Sequence, residues 1–151
     1  MQQALKIAAG PLVEGDTIVI LDAKNMFLRP FGPSDYWDGA RARTNFLPVG
    51  AVKPEHLSRA LRCFDRTGAL GAPQEITQYV TPFAVERAVW ATLHERILAR
   101  LGPVEAVFAV NRPPTEFMLL NAYAHAELCG VRKLFSPGLI RFNNLHMSTP
   151  A

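Results

Sequence analysis

The run Ile18-Val19-Ile20-Leu21, stopped by Asp22, constrains this chain more than any other stretch. Four consecutive apolar residues, three of them β-branched, are too few to cross a membrane and suit a strand buried on both faces. The acid that stops the run, with Asn25 three positions on, puts two oxygen-bearing side chains at the carboxyl edge of a sheet. Open α/β folds assemble their sites at that edge. A chain of 151 residues supports one such core, so one domain is expected over 1–151, with a lead segment over 1–15 and a tail over 137–151.

The remaining segments alternate. Residues 1–15 read as an amphipathic lead or an extra edge strand, and 30–52 as a long loop punctuated by Gly32-Pro33, Asp38-Gly39, Pro48 and Gly50, with a short helix over 38–43. Pro54 suits the first position of a helix whose apolar face is Leu57, Ala60, Leu61 and Phe64. Ile76, Thr77, Tyr79 and Val80 favour a strand over 75–80. Thr81-Pro82 then opens a helix in which Val85, Val89, Leu93, Ile97 and Leu101 recur every four residues, and Gly102-Pro103 stops it. The stretch 104–110 (VEAVFAV) reads as a buried strand at the centre of the sheet. A helix over 115–128, apolar on most sides, follows, then a short strand over 131–135, with 139–147 as a candidate edge strand.

Such alternation predicts an α/β fold: a three-layer domain with a mostly parallel sheet of four or five strands, helices on both faces and right-handed crossovers. Asp22, Asn25, Thr81, Asn111 and Glu116 would share one rim of that sheet.

Asp22 and Asn25 suit a hard divalent cation, because Mg²⁺ is usually held by one or two carboxylates together with waters and phosphate oxygens. Glu116 is the candidate second carboxylate, and Mg²⁺ or Mn²⁺ between it and Asp22 would polarise a phosphodiester and activate a water. The structural alternatives are a strand-end cap or an ion pair with Lys24 or Arg29 for Asp22, and a favourable charge at a helix N-terminus for Glu116.

The segment 20–29, Ile-Leu-Asp-Ala-Lys-Asn-Met-Phe-Leu-Arg, resembles the opening of PIN-like nucleases. It is similar to the Asp-Gly-x-Asn of NYN-domain ribonucleases and to the Asp-Gly-x-Asn-x-Phe-x-Arg of phage-type 5′-nucleases. The segment 110–120, VNRPPTEFMLL, resembles the NYN Ser-Gly-Asp-Ser-Asp-Phe, with Glu116-Phe117 for its closing Asp-Phe. The resemblance implies a parallel α/β fold and a Mg²⁺- or Mn²⁺-dependent nuclease acting on or binding RNA or DNA. Asp22, Asn25 and Glu116 would be its catalytic residues, and Asp22 and Glu116 its metal ligands. Ala23 replaces the family's Gly and Pro114 its first later Asp, while Glu86 and Asp65 are the available stand-ins for its middle acid. A member with that acid set could bind nucleic acid, or a protein, without cutting.

Charge fits such a partner. The chain carries a net charge of +3, and Arg29, Arg41, Arg43 and Arg59 stand in its most arginine-rich stretch as candidate contacts to phosphates, against the alternative of a solvated mixed-charge surface. A protein partner or a second copy is compatible as well.

Two other classes compete. The succession after residue 75 is similar to the second half of GNAT acyltransferases, although 82–87 (PFAVER) lacks the glycines of their pyrophosphate-binding turn. A non-catalytic α/β interaction protein needs no acid set at all. His125, Glu127 and Cys129 resemble the His-x-Glu of zinc deaminases, but no Pro-Cys-x-x-Cys follows and a structural helix histidine is the simpler reading. Cys63 and Cys129, without a CxxC, read as reduced thiols, and with no secretory or membrane-length apolar run the expected location is the cytoplasm, with no membrane partner.

Overall fold

A computed structural model describes residues 2–23, 30–39, 41–65 and 67–138 of the chain. Asn25 and Arg29, and the candidate edge strand over 139–147, lie outside the described residues.

The molecule is built around helix α6 (Glu116–Leu128), whose residues from Glu116 through Ala124 are all buried. A helix apolar on every side can only be accommodated by neighbours on every side. These are α3 (Pro54–Phe64), α4 (Arg87–Leu101) and the short N-terminal α1 (Gln2–Ala8). Helix α3 shows the predicted face, burying Leu57, Ala60 and Phe64 against α6, with Pro54 at its first turn. Thr115 caps α6, its Oγ1 accepting from the Met118 amide at 3.3 Å.

The strands do not form the expected sheet. Among the described residues there are three small sheets. In the first, β1 (Thr17–Ile20) pairs antiparallel with β6 (Phe83–Glu86). The second is the three-stranded set of β2 (Trp37–Asp38), β3 (Arg41–Thr44) and β7 (Phe135–Pro137), in which β3 and β7 make the one parallel pair among the described residues. In the third, β4 (Phe46–Pro48) pairs antiparallel with β5 (Glu75–Thr77). The expectation of a mostly parallel sheet of four or five strands with helices on both faces is therefore overturned. The fold is a mixed assembly of helices with two- and three-stranded sheets.

Two local readings account for most of that difference. The stretch 104–110, expected as the central strand, instead forms helix α5 (Val104–Phe108). Its Val104 and Val107 are buried three residues apart while Glu105 and Ala106 face solvent, which is a helical period that a short apolar run conceals. Residues 83–86 were expected inside a helix begun by Thr81-Pro82. They form β6 because Phe83, Ala84 and Val85 are all buried, with Val85 opposite Ile18 and Phe83 opposite Ile20, and α4 starts only at Arg87. The stretch 131–135 is a 3₁₀ turn over Val131–Lys133 leading into β7. The long loop is structured. It holds the four-residue helix α2 (Pro33–Tyr36), and the hairpin of β2 and β3 turns at Gly39, whose φ of +60° suits glycine, where a short helix was expected.

Two polar contacts fix the helices to their surroundings. The Asn121 side chain, buried in α6, accepts from the Thr77 amide at 2.7 Å and donates to Thr77 Oγ1 at 2.9 Å, locking α6 to β5. The Trp90 indole donates to the Lys6 carbonyl at 2.7 Å, tying α4 to α1. Just after α1, Gly10 lies so close to α4 that a Cβ there would stand 2.8 Å from the Trp90 ring and 3.3 Å from the Ala91 amide nitrogen.

Candidate functional site

The end of β1 and the start of α6 meet. Because Ile20 pairs with Phe83, Asp22 leaves β1 at the end of the ribbon where Thr81 and Pro82 enter β6. Glu116 begins α6, and its side chain is 4 % exposed. Between the two carboxylates sits an ammonium that the motif reading did not include. Lys6 Nζ, from the last turn of α1, donates to Asp22 Oδ1 at 2.7 Å and to Glu116 Oε1 at 3.0 Å. It also lies 5.7 Å from the centre of the Phe117 ring. Asp22 is the more open partner, at 27 % exposed, and the Lys6 side chain is 15 % exposed.

Burial alone would lower the Lys6 pKa. The hydrogen bonds and charges of Asp22 and Glu116 outweigh it, and the ammonium is held above its ordinary range. A lysine so held is no free base or nucleophile at neutral pH. The cluster acts as a charged clamp joining three segments that are distant in the chain.

Sequence reasoning thus located both acids, and the structure brings them to one point. It missed their partner. The signal was present, since Lys6 stands between Ala4 and Ile7, the two buried positions of α1, so that its stem must leave along the protein surface. Asp65 and Glu86 are not partners of Lys6. Asp65 closes the turn after α3, accepting from the amides of Gly68 at 3.0 Å and Leu70 at 2.9 Å, and Glu86 precedes α4. Thr81 borders the same end of the ribbon, whereas Asn111 is exposed in the turn before α6.

A divalent cation is normally held by several hard oxygen ligands. Among the described residues no three of Asp, Glu, His and Cys converge, and the two carboxylates that do converge already hold Nζ between them. Among the described residues the donor set does not fit Mg²⁺ or Mn²⁺ while Lys6 is in place.

The candidate phosphate contacts divide. Arg41 and Arg43 are on β3: Arg41 is exposed and its Nη1 reaches the Arg132 carbonyl at 3.4 Å, while Arg43 is half-buried, with Nε donating to the Trp37 carbonyl at 3.0 Å. Arg59 sits half-buried on α3. The parallel pairing of β3 with β7 brings up two cations that the sequence did not single out, Arg132 and Lys133, both exposed in the turn before β7. Arg132 lies over the Phe46 ring at 4.4 Å and makes a two-pronged ion pair with Glu75, its Nη2 at 2.7 Å from Oε2.

The remaining constellations have structural roles. His125 Nε2 is 3.2 Å from the Gly71 carbonyl, Glu127 pairs with Arg96 and Arg100, and Cys129 is the left-handed C-cap of α6. Both cysteines are free thiols. No helix among the described residues is long and apolar enough to cross a membrane.

The chain matches no protein-family model, no curated protein and no solved structure.

Proposed function

We propose that this chain binds nucleic acid through its phosphodiester backbone and does not hydrolyse it at the Asp22–Glu116 pair. The observation that carries the reading is the run of cations gathered where β3 and β7 lie side by side: Arg41 and Arg43 on the strand, Arg132 and Lys133 in the turn beside it. Arginines on a short strand bordered by an aromatic ring offer forked donors to phosphate oxygens and a flat face to a base. Among the described residues Arg41 has no ion pair, and its partner is a carbonyl oxygen, which leaves its charge available for a phosphate. The resemblance of 20–29 and 110–120 to PIN-like nucleases supports the same substrate class. The Lys6 ammonium supports binding over cutting, because it already compensates the two acids that would have to hold a cation.

Fluorescence anisotropy with labelled single-stranded RNA and DNA tests this. Binding should weaken steeply between about 50 and 200 mM salt, and Arg41→Gln should lower the salt slope by about one unit. Absence of salt-dependent binding to either strand refutes the reading. Cleavage by wild type in Mn²⁺ that is lost in Asp22→Asn replaces it with hydrolysis, and a mobility shift with no cut product supports it.

A further inference from the structure

A cavity of about 290 Å³ opens between the starts of α3 and α6. Val52, Lys53 and His56 come from the entry to α3, Thr115 and Met118 from the first turn of α6, and Tyr79 from the segment leaving β5. Its walls are apolar: Met118 and Val52 are buried, and Tyr79 shows 40 % of its surface.

Thr115 Oγ1 caps α6, and the other three polar groups are uncommitted. Among the described residues the Lys53 ammonium has no ion pair, and neither the His56 ring nor the Tyr79 hydroxyl has a hydrogen bond. By contrast, Lys6 is spent on two acids, Arg132 on Glu75, and Arg100 on Glu127 and the Phe64 carbonyl. No carboxylate lines the cavity. The starts of two helices, of 11 and 13 residues, add partial positive charge to the same side.

A ligand that satisfies this lining has a flat ring to lie against Tyr79 and Met118 and one anionic group. The volume lies at the small end of the range for ligand pockets, enough for one such unit and not for a strand. We propose that the cavity is a subsite for a single nucleotide, its base against Tyr79 and Met118 and its phosphate on Lys53 and His56. The choice of a nucleotide over other aromatic anions rests on the nucleic-acid reading above. Free or as one unit of a strand, the nucleotide presents the same chemistry, a phosphate beside a base.

Isothermal titration of the whole chain with AMP and UMP tests this, with adenosine, benzoate and decanoate as comparison ligands. The proposal expects the mononucleotides to bind more tightly than about 1 mM. Lys53→Gln should weaken them about tenfold, as loss of one charge-assisted contact does. Tyr79→Ala should do the same through lost stacking. Both positions are exposed, and unchanged thermal melting of the variants shows that the fold is kept. Adenosine should bind more weakly than AMP. Failure of both mononucleotides to bind, equal binding by the variants, or tighter binding of benzoate or decanoate overturns the proposal. The two readings fail separately. Salt-dependent strand binding without mononucleotide binding removes the subsite and leaves the β3 face, whereas mononucleotide binding without strand binding does the reverse.

Discussion

Replacing Lys6 by Met keeps the length of the stem and removes the charge. The Lys6 carbonyl, and with it the Trp90 contact, is untouched. What changes is that Glu116, 4 % exposed, loses the ammonium at 3.0 Å, and Asp22, 27 % exposed and in contact with water, loses its contact at 2.7 Å. Removing one partner of a buried pair costs about 3–5 kcal/mol, because the other charge stays buried without compensation. With one of the two acids half-solvated, the lower end applies, about 3 kcal/mol. For a chain of this size each kcal/mol moves the melting temperature by roughly 2–4 °C, which gives a fall of roughly 6–12 °C. The pH dependence identifies the cause. In wild type the folded Lys6 pKa is raised above its ordinary 10.5, so its contribution is complete below that value and is lost as the pH rises through the raised one. Lys6→Met lacks this ammonium, so its deficit relative to wild type narrows as the pH rises through the raised value. Adding Glu116→Gln to Lys6→Met should recover part of the loss at neutral pH, and the double-mutant cycle reads the coupling. Urea unfolding followed by the fluorescence of buried Trp90 gives each value. A deficit under about 1 kcal/mol, or one that does not narrow as the pH rises through the raised Lys6 value, refutes the clamp.

Three other consequences are measurable. Gly10→Ala should destabilise the fold by about 1–3 kcal/mol in urea unfolding, because the new methyl meets the Trp90 ring and the α4 backbone, which cannot withdraw together. Asn121→Leu should cost about 2–3 kcal/mol by leaving the buried Thr77 amide without its acceptor, and hydrogen exchange at that amide should accelerate selectively. Asp65 has its pKa lowered, first by the Leu70 amide and then by the Thr67 hydroxyl and the amides of Gly68 and Thr67, with desolvation opposing. The contribution of this turn is therefore present above the ordinary 3.8 and lost as the pH falls through the depressed value, which the amide shifts of Thr67, Gly68 and Leu70 report in an acid titration.

Helices α3 and α6 were legible in the sequence because each carries an apolar pattern and a charge or proline suited to a helix start: Leu57, Ala60 and Phe64 with Pro54 for α3, an apolar run with Glu116 in its first turn for α6. The strand 18–20 was legible from its β-branched run. The pairing was not. Whether Ile20 lies beside Phe83 or beside a parallel neighbour depends on contacts more than sixty residues apart, and the apolar stretches 83–86 and 104–108 have no composition that separates strand from helix. Reading the second as a strand was enough to turn small antiparallel pairs into a parallel sheet, since one misassigned segment supplied the missing centre and reversed the implied direction of its neighbours.

The acid pair shows the same division at the level of chemistry. A carboxylate as buried as Glu116 requires compensation, and sequence alone states that requirement without stating who meets it. A metal ion, an arginine or a lysine all satisfy the same two oxygens, and the motif around Asp22 favours the first only by association. The deciding residue lies 16 positions before Asp22 and 110 before Glu116, on a helix of seven residues. Once Lys6 is placed, the electrostatic need that suggested a catalytic cation is met from within the chain. Among the described residues Arg41 on β3 and Lys53 at the cavity are cations without an ion pair, and it is toward such groups that an external anion is drawn.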